Sequence, residues 1–358
     1  MWRQLIVPVC IAISACSGTG TLPSEVESQS PMADQKELII VAAPKHGDAY
    51  YAEAAHDIFD FHIAYAGAVR KHDDFLVLTD AATYPDYVEA LGADRVLIAP
   101  QDDIWARDFS LSNAIDPVMF RYTSEGQGGG HRGQADADHV QDILAGLMEK
   151  AGVAFAESDL LNDGGNLVDD YHGRIVISRK FLRDNRLTEA QGRGALIDET
   201  GAAHVAFIDA DEQGGLEHAD GVVAFIDANV LVINRYSEDP EYAAQLKSDL
   251  RAGLPDVTLH EITTPYDGSE IYDAKFGSAC GLYTNMLVTA NRIYLPQFGI
   301  PEDREALESV RSWTSKQVIP VRSDKVCHMG GGVRCMSWQL RGPNAAKLKA
   351  WAAAQRSE

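Results

Sequence analysis

The sequence predicts an α/β fold in which a repeated unit is arranged around an axis. The chain opens with alternating apolar strands and amphipathic helices. Further along, two apolar strands joined by a tight turn, a helix and another strand recur as a unit. A polar residue stands at or before the start of each hairpin, at intervals of roughly 50 to 66 residues. Equivalent strand ends are therefore expected to converge, so that residues far apart in the chain meet in one pocket.

The opening of the chain predicts a strand–helix–strand–helix–strand order, which is typical of α/β proteins. Residues 37–43 (ELIIVAA) form an apolar strand, and residues 50–70 carry apolar side chains at helical spacing. The elements that follow are a strand at 75–79, a helix at 84–91 and a strand at 95–99.

Three later copies of the unit are well defined, because residues that favour tight turns fall between the two strands of each hairpin. The hairpins are Leu167–Ser178, Gly221–Asn234 and Thr284–Pro296. The helices that follow lie near 188–198, 240–252 and 301–315, and the closing strands at 204–208, 257–262 and 317–321. A looser copy comes earlier, as hairpin 108–122, helix 138–151 and strand 153–156. The last hairpin strand, 334–340, leads into a C-terminal helix at 343–354.

Composition places the chain among ordinary globular proteins. It has 358 residues, of which 46% are hydrophobic and 23% charged. Its formal net charge of −22 argues against nucleic acid or an anionic membrane surface as a partner, because both require a basic face.

The N-terminus predicts export. Arg3 is followed by a short apolar run, Leu5–Ala15, which is too short to span a bilayer. The run ends at Cys16 in a stretch that resembles the lipobox of bacterial lipoproteins. We therefore expect a signal peptide at 1–16, lipid on Cys16, a flexible tether at 17–36 and a single catalytic domain at 37–358. The expected location is the periplasm or the outer membrane, with the lipid as the only membrane contact.

Three cysteines remain after the signal peptide and the lipidated residue, namely Cys280, Cys327 and Cys335. No CxxC pair occurs, so zinc binding and thioredoxin-type chemistry have no support. In an oxidising compartment Cys280 and Cys327 could pair by parity alone, which would leave Cys335 as a free thiol.

Cys335 follows a run of three glycines, where the backbone can turn tightly and leave room for a substrate against the thiol. Arg334 and the backbone N–H groups freed by the glycines would favour the nucleophilic thiolate. We therefore expect Cys335 to be a nucleophile.

Four further residues fit chemistry on a planar cation. Trp105 and Asp108 place an aromatic wall and a carboxylate at the mouth of a strand. In the strand-like stretch His218-Ala-Asp220, residues two apart face the same side. Two carboxylates can clamp a guanidinium, a thiolate can attack its carbon, and a histidine can protonate the departing nitrogen. This set requires no metal and no cofactor.

At these residues the chain resembles the agmatine deiminases and bacterial-type peptidylarginine deiminases of the guanidino-group-modifying (pentein) superfamily. The matching stretches, in family order, are Asp102–Asp108, Asp163–Asn166, His218–Asp220, Tyr283–Asn285, Pro296–Gly299 and Gly330–Cys335.

The resemblance implies a five-bladed α/β propeller without a cofactor. It also implies roles for individual residues. Cys335 would be the nucleophile and His218 the general acid and base, and the guanidinium would lie between Asp108 and Asp220. Asn285, together with Trp105 and Asn166, would contact the substrate.

Two positions depart from the family pattern. Glu217 stands where the family has glycine before the histidine, and it would tend to favour the charged form of His218. Phe109-Ser110 stands close after Asp108, where the family has Gly-Pro, which puts the geometry of that loop in doubt.

The substrate stays open at this level. Hydrolysis could convert agmatine to N-carbamoylputrescine, or peptidyl-arginine to peptidyl-citrulline. A carboxylate on the substrate would need a cation, which Arg121 or Arg132 could supply. Amidinotransfer on the same fold, and a surface lipoprotein that binds peptides without turnover, are the alternatives.

Overall fold

The described residues of the computed structural model, 36–112, 117–211 and 216–356, form five small sheets that follow one another along the chain. The strands are β1 (Leu38–Ala42), β2 (Asp74–Thr79), β3 (Val96–Ile98), β4 (Val118–Arg121), β5 (Ala156–Leu161), β6 (Leu167–Asp169), β7 (Arg174–Ser178), β8 (His204–Ile208), β9 (Val223–Asp227), β10 (Val230–Asn234), β11 (Thr258–Ile262), β12 (Leu287–Val288), β13 (Arg292–Gln297), β14 (Gln317–Arg322) and β15 (Ser337–Leu340). The α-helices are α1 (Ala55–Val69), α2 (Tyr84–Leu91), α3 (Gly130–Lys150), α4 (Lys180–Asp184), α5 (Glu189–Thr200), α6 (Pro240–Gly253), α7 (Glu302–Trp313) and α8 (Gly342–Gln355).

Three of the sheets have the same construction. An antiparallel hairpin is followed by a helical segment and a strand parallel to the second hairpin strand, in the orders β6-β7-β8, β9-β10-β11 and β12-β13-β14. A fourth sheet is the parallel pair β4-β5, which is connected through α3.

The remaining sheet, ordered β15-β1-β2-β3, joins the two ends of the described chain. Leu340 of β15 lies opposite Leu38 of β1 in an antiparallel pairing, so the C-terminal strand completes the first unit. The five sheets agree in number with the blades of the five-bladed α/β propeller that the resemblance implies, and they are called blades below.

Apolar packing stabilises the blades and explains their sequence pattern. All five residues of β1 are buried, as expected for a strand covered on both faces. Trp338 of β15 is fully buried, and Tyr65 of α1 packs against a neighbouring ring, that of Tyr294 on β13. Because these contacts join segments that are distant in sequence, they hold the loops at the strand ends in register.

The predicted bounds of strands and helices are wrong for the early, looser copy of the unit. The described residues at the start of the predicted hairpin 108–122 form no strand, because backbone groups there bind other loops instead. Helix α3 begins at Gly130, eight residues before the predicted start, and β5 lies at 156–161 where 153–156 was predicted. The short helix α4 was not predicted.

The predicted signal peptide, the lipidated Cys16 and the tether lie outside the described residues, apart from Lys36, and stay predictions. Among the described helices, none has both the length and the apolar character required to cross a bilayer. The described residues all belong to one compact unit.

Candidate active site

A cavity of about 250 Å³ lies where the loops of the blades meet, and it brings together residues from the whole length of the chain. Its wall includes Trp105, Asp108, His218 and Cys335. Asp220 does not line the cavity, but its Oδ2 atom lies 3.8 Å from the sulfur of Cys335. The structure therefore brings together the four residues for which the sequence predicts catalytic roles, and the aromatic wall as well.

The loop before Cys335 is held by a single amide side chain. Asn285 donates from Nδ2 to the Cys335 sulfur at 2.9 Å. Its Oδ1 accepts from the backbone N–H groups of Gly332, Arg334 and Cys335 at 3.2 to 3.4 Å. Asn285 thus orients the thiol. It does not line the cavity, which differs from the direct substrate contact expected from the sequence.

Glycine is required in this loop for reasons of space. A Cβ atom on Gly331 would come within 2.4 Å of the Trp105 ring and 2.7 Å of the Cys335 Cβ atom. The close approach lets the Trp105 ring lie beside the nucleophile.

The thiol of Cys335 is buried among negative charges. Burial raises its pKa well above the ordinary value, and Asp220 and Asp108 raise it further. A neutral thiol that donates to Asp220 is therefore the resting state, and a cation placed beside it would favour the thiolate.

His218 lies between two carboxylates. Its Nε2 atom is 2.9 Å from Oδ2 of Asp163, and its Nδ1 atom is 3.7 Å from Oδ1 of Asp108. Burial alone would lower the pKa of this imidazole, but Asp108 and Asp163 raise it to about 9. His218 is therefore an imidazolium at neutral pH and can donate a proton.

Glu217 does not cause this effect, contrary to expectation. Its side chain forms an ion pair with Arg183. Its backbone has a φ of +52°, a left-handed conformation that glycine adopts without strain. Glutamate in place of glycine therefore affects the backbone conformation before His218. The positive charge on the imidazole is stabilised by Asp108 and Asp163.

Asp108 is fixed by the loop that carries Asp163. The backbone N–H of Gly165 donates to Oδ1 of Asp108 at 3.2 Å. A Cβ atom on Gly165 would lie 2.6 Å from Nδ1 of His218 and 2.7 Å from Oδ1 of Asp108, so only glycine fits. Burial, with smaller contributions from neighbouring carboxylates, raises the pKa of Asp108 to about 7 despite the opposing effect of His218.

The loop at Phe109-Ser110, where the sequence departs from the family pattern, is well packed, with Phe109 only 1% exposed.

Asp163 is the functional residue that the sequence reasoning missed. It belongs to the quoted stretch Asp163–Asn166 but received no role there. Its Oδ2 atom accepts from Thr123 Oγ1 at 3.0 Å as well as contacting His218, and Oδ1 accepts from the Thr123 backbone N–H at 2.9 Å. Although burial would raise its pKa, the contact with His218 lowers it, so Asp163 is a carboxylate that orients the imidazole.

Part of the cavity lining is acidic and aromatic. Asp103 is buried there, and it accepts from Tyr51 Oη and Gln127 Nε2, each at 2.6 Å. Other lining residues that the sequence did not single out are Asp48, Tyr50, Tyr122, Phe276 and Met329.

Three further residues expected to bind substrate, in addition to Asn285, do not line the cavity. Asn166 is 2% exposed, and its amide binds the backbone of Ser178 and the side chain of Asn162, which is a structural use. Arg121 pairs on the surface with Asp138, and the side chain of Arg132 is 96% exposed. Neither arginine lines the cavity.

A disulfide braces the cavity wall. Cys280 and Cys327 are bonded, and Cys335 is the free thiol of the described residues, as parity allows. The bond joins the segment that carries Phe276 to the loop that carries Met329, so it ties two parts of the lining together. Within the described part of the chain, no three acidic, histidine or cysteine side chains are placed to hold a metal ion.

This geometry suits attack on a planar cation. Cys335 shares the cavity wall with the carboxylate of Asp108 and the imidazolium of His218, and the carboxylate of Asp220 contacts its sulfur. A guanidinium between Asp108 and Asp220 would satisfy both charges and would present its central carbon to Cys335.

Comparison with known proteins agrees with this geometry. Residues 29–340 match the family model of Porphyromonas-type peptidyl-arginine deiminase. A relative from Marinomonas sp. (strain MWYL1), which carries the provisional name agmatine deiminase, is 24% identical over 92% of this chain and 95% of its own length.

Solved structures share the fold. Agmatine deiminase of Enterococcus faecalis superposes with a TM-score of 0.71 at 17% identity, covering 86% of this chain and 94% of that one. C. jejuni agmatine deiminase gives a TM-score of 0.70 at 16% identity, with the same coverage. The chain is thus a guanidino-modifying enzyme of the C–N hydrolase type, and it belongs to the Porphyromonas-type peptidyl-arginine deiminase family.

Proposed function

We propose that this enzyme hydrolyses the guanidino group of a small dicationic guanidine such as agmatine, releasing ammonia and leaving a ureido group, through a covalent intermediate on Cys335. The observation that carries the proposal is the convergence of one thiol, one imidazolium and one buried carboxylate, Asp108, at one cavity, with a second buried carboxylate, Asp220, in contact with the thiol.

Binding and activation of the nucleophile are coupled in this site. Asp108 and Asp220 receive the N–H groups of the guanidinium, which supplies the positive charge that the resting site lacks. That charge opposes the carboxylates that hold the pKa of the Cys335 thiol high, so the thiol releases its proton to solvent as the substrate enters and regains one when the product leaves.

The reaction then proceeds in two halves. The thiolate of Cys335 attacks the guanidino carbon, His218 protonates one terminal nitrogen, and the C–N bond breaks to release ammonia. The neutral imidazole next accepts a proton from water, which attacks the same carbon. The C–S bond breaks, and the ureido product leaves with the oxygen of that water.

The cavity lining favours a substrate with a distal cation. Asp48 and Asp103 line the cavity together with Tyr51 and Phe276, a combination that attracts an ammonium group through charge and ring faces. Arg121 and Arg132, the two cations considered as receptors for a substrate carboxylate, lie outside the cavity lining. These placements support agmatine over free arginine and over peptides that end in arginine.

The test is a side-by-side assay of ammonia and ureido product from agmatine, free arginine, and internal and C-terminal arginyl peptides. We expect agmatine to have the highest kcat/KM. Preference for an arginyl peptide would overturn the substrate assignment, and absence of turnover with all four would overturn the deiminase assignment. Adding an amine acceptor tests amidinotransfer, which would yield an amidinated amine in place of the ureido product.

A further inference from the structure

Asp220 has an internal cationic partner. Its carboxylate is 1% exposed, and Oδ2 accepts from Nη1 of Arg334 at 3.0 Å. The same oxygen is the one that lies 3.8 Å from the Cys335 sulfur. One carboxylate oxygen therefore contacts both the nucleophile and a guanidinium that belongs to the protein.

Arg334 is held at both ends without the help of Asp220. Its Nη2 atom donates to the backbone carbonyl of Leu167 at 3.0 Å. Its backbone N–H donates to the carbonyl and the side-chain oxygen of Asn285, at 3.2 and 3.3 Å. The side chain is only 12% exposed, so it is a fixed cation with little access to water.

The other charges near Asp220 cannot replace this contact. Cys335 is a neutral thiol at rest, Asp108 repels a second negative charge, and His218 lies against Asp108 and Asp163. Arg107 is also nearby, but its Nη2 atom donates to Oε1 of Gln339 at 2.8 Å. Arg334 is the cation that the described residues place in direct contact with Asp220.

We propose that Arg334 is a positioning residue that holds the Asp220 carboxylate beside the Cys335 sulfur in the absence of substrate. The role rests on the proposed function, since Asp220 is there one of the two carboxylates that receive the substrate. Without Arg334, this buried carboxylate would lose the donor that fixes its orientation, and its charge-assisted bond to a substrate guanidinium would weaken.

Binding measured apart from turnover tests this role. In a Cys335→Ser background, calorimetry compares the affinity for agmatine of the protein with Arg334 intact and of the Arg334→Gln and Arg334→Lys variants. We expect the glutamine variant to bind at least about tenfold more weakly, the size typical of losing a charge-assisted hydrogen bond, and the lysine variant to recover most of that affinity. An unchanged affinity in the glutamine variant, or an equal loss in both variants, would overturn the proposal.

Two control variants keep the test decisive. Arg334→Lys retains the charge and a donor, so a tenfold loss of affinity in this variant would contradict the role even if the glutamine variant fails to fold. Arg322→Gln removes an exposed arginine that pairs with Asp324 and should leave the affinity for agmatine unchanged. Turnover of the unmodified enzyme is assayed in parallel. If it has none but binding shows the predicted loss and its recovery with lysine, the deiminase assignment fails while the role of Arg334 stands.

Discussion

The two halves of the cavity balance their buried carboxylates in different ways. Asp108 is compensated by the imidazole of His218 at 3.7 Å, whereas Asp220 is compensated by the guanidinium of Arg334 at 3.0 Å. An imidazolium can lose its proton near neutral pH, and a guanidinium cannot. The half that contains Asp108 is therefore suited to moving protons, and the half that contains Asp220 to holding a fixed charge beside the nucleophile.

Replacing Cys335 with serine should have the largest effect, because it removes the nucleophile from the half with the fixed charge. A serine hydroxyl does not ionise near neutral pH, so we expect no measurable ammonia release. Calorimetry with agmatine should still show binding to this variant. Residual turnover within tenfold of the unmodified enzyme would contradict the role of the thiol.

Replacing His218 with asparagine breaks the half that moves protons. A positioned general acid or base contributes about 100- to 10,000-fold, so kcat should fall by about that factor at every pH. Agmatine should still protect Cys335 from alkylation, because the carboxylates remain. A change in KM with kcat unaltered would show that His218 only binds substrate.

Asparagine at Asp108 or Asp220 should sharpen the comparison between the halves. Truncating one partner of a buried charge pair costs about 2–5 kcal/mol, which lowers kcat/KM for agmatine by at least about thirtyfold. D108N should also remove the decrease in kcat/KM below pH 7, because the pKa of Asp108 is about 7. D220N should retain that decrease.

Alkylation of Cys335 by neutral iodoacetamide is the control for both carboxylate variants, because this uncharged reagent does not have to bind between the two carboxylates. If D108N and D220N slow alkylation as much as turnover, the carboxylates support the loop and not the substrate.

Replacing Asp163 with asparagine should shift the pH profile more than it lowers the maximum rate. The expected profile of the unmodified enzyme is a bell, which falls below pH 7 as Asp108 gains a proton and above pH 9 as His218 loses one. D163N removes a carboxylate that raises the pKa of His218, so the alkaline limb should move to lower pH. Asp324→Asn, at an exposed ion pair, is the matched control. An alkaline limb that stays in place would exclude an effect of Asp163 on the imidazole.

Elements with a strong local pattern were predictable from the sequence. Helix 84–91 and strand 204–208 have the predicted bounds, because apolar spacing and flanking turn residues agree there. The start of α3 was missed, since glycines and polar residues carry it in place of an apolar stripe. The loop that begins at Asp108 was misjudged as a strand because a backbone partner, the Gly164 N–H that donates to the Asp108 carbonyl, is far away in sequence.

The candidate site shows the same division. Cys335, His218, Asp108 and Asp220 were predictable because their chemistry is visible in short stretches. The pairing of Asp163 with His218 and of Arg334 with Asp220 was not, since each joins blades more than 50 residues apart. Arg121 and Arg132 were wrongly expected to bind substrate. Each lies near an acidic residue of the protein, Asp138 for Arg121 and Asp136 for Arg132, and the search for a cation that could bind a substrate carboxylate did not consider these partners.

Intact-mass spectrometry of the enzyme, quenched in acid during turnover of agmatine, tests the central claim most directly. If Cys335 attacks the guanidino carbon, the protein should gain the mass of agmatine less ammonia, and peptide mapping should place the adduct on Cys335. The adduct should be absent from the serine variant. Formation of the ureido product without any adduct, or with the adduct on another residue, would contradict the account.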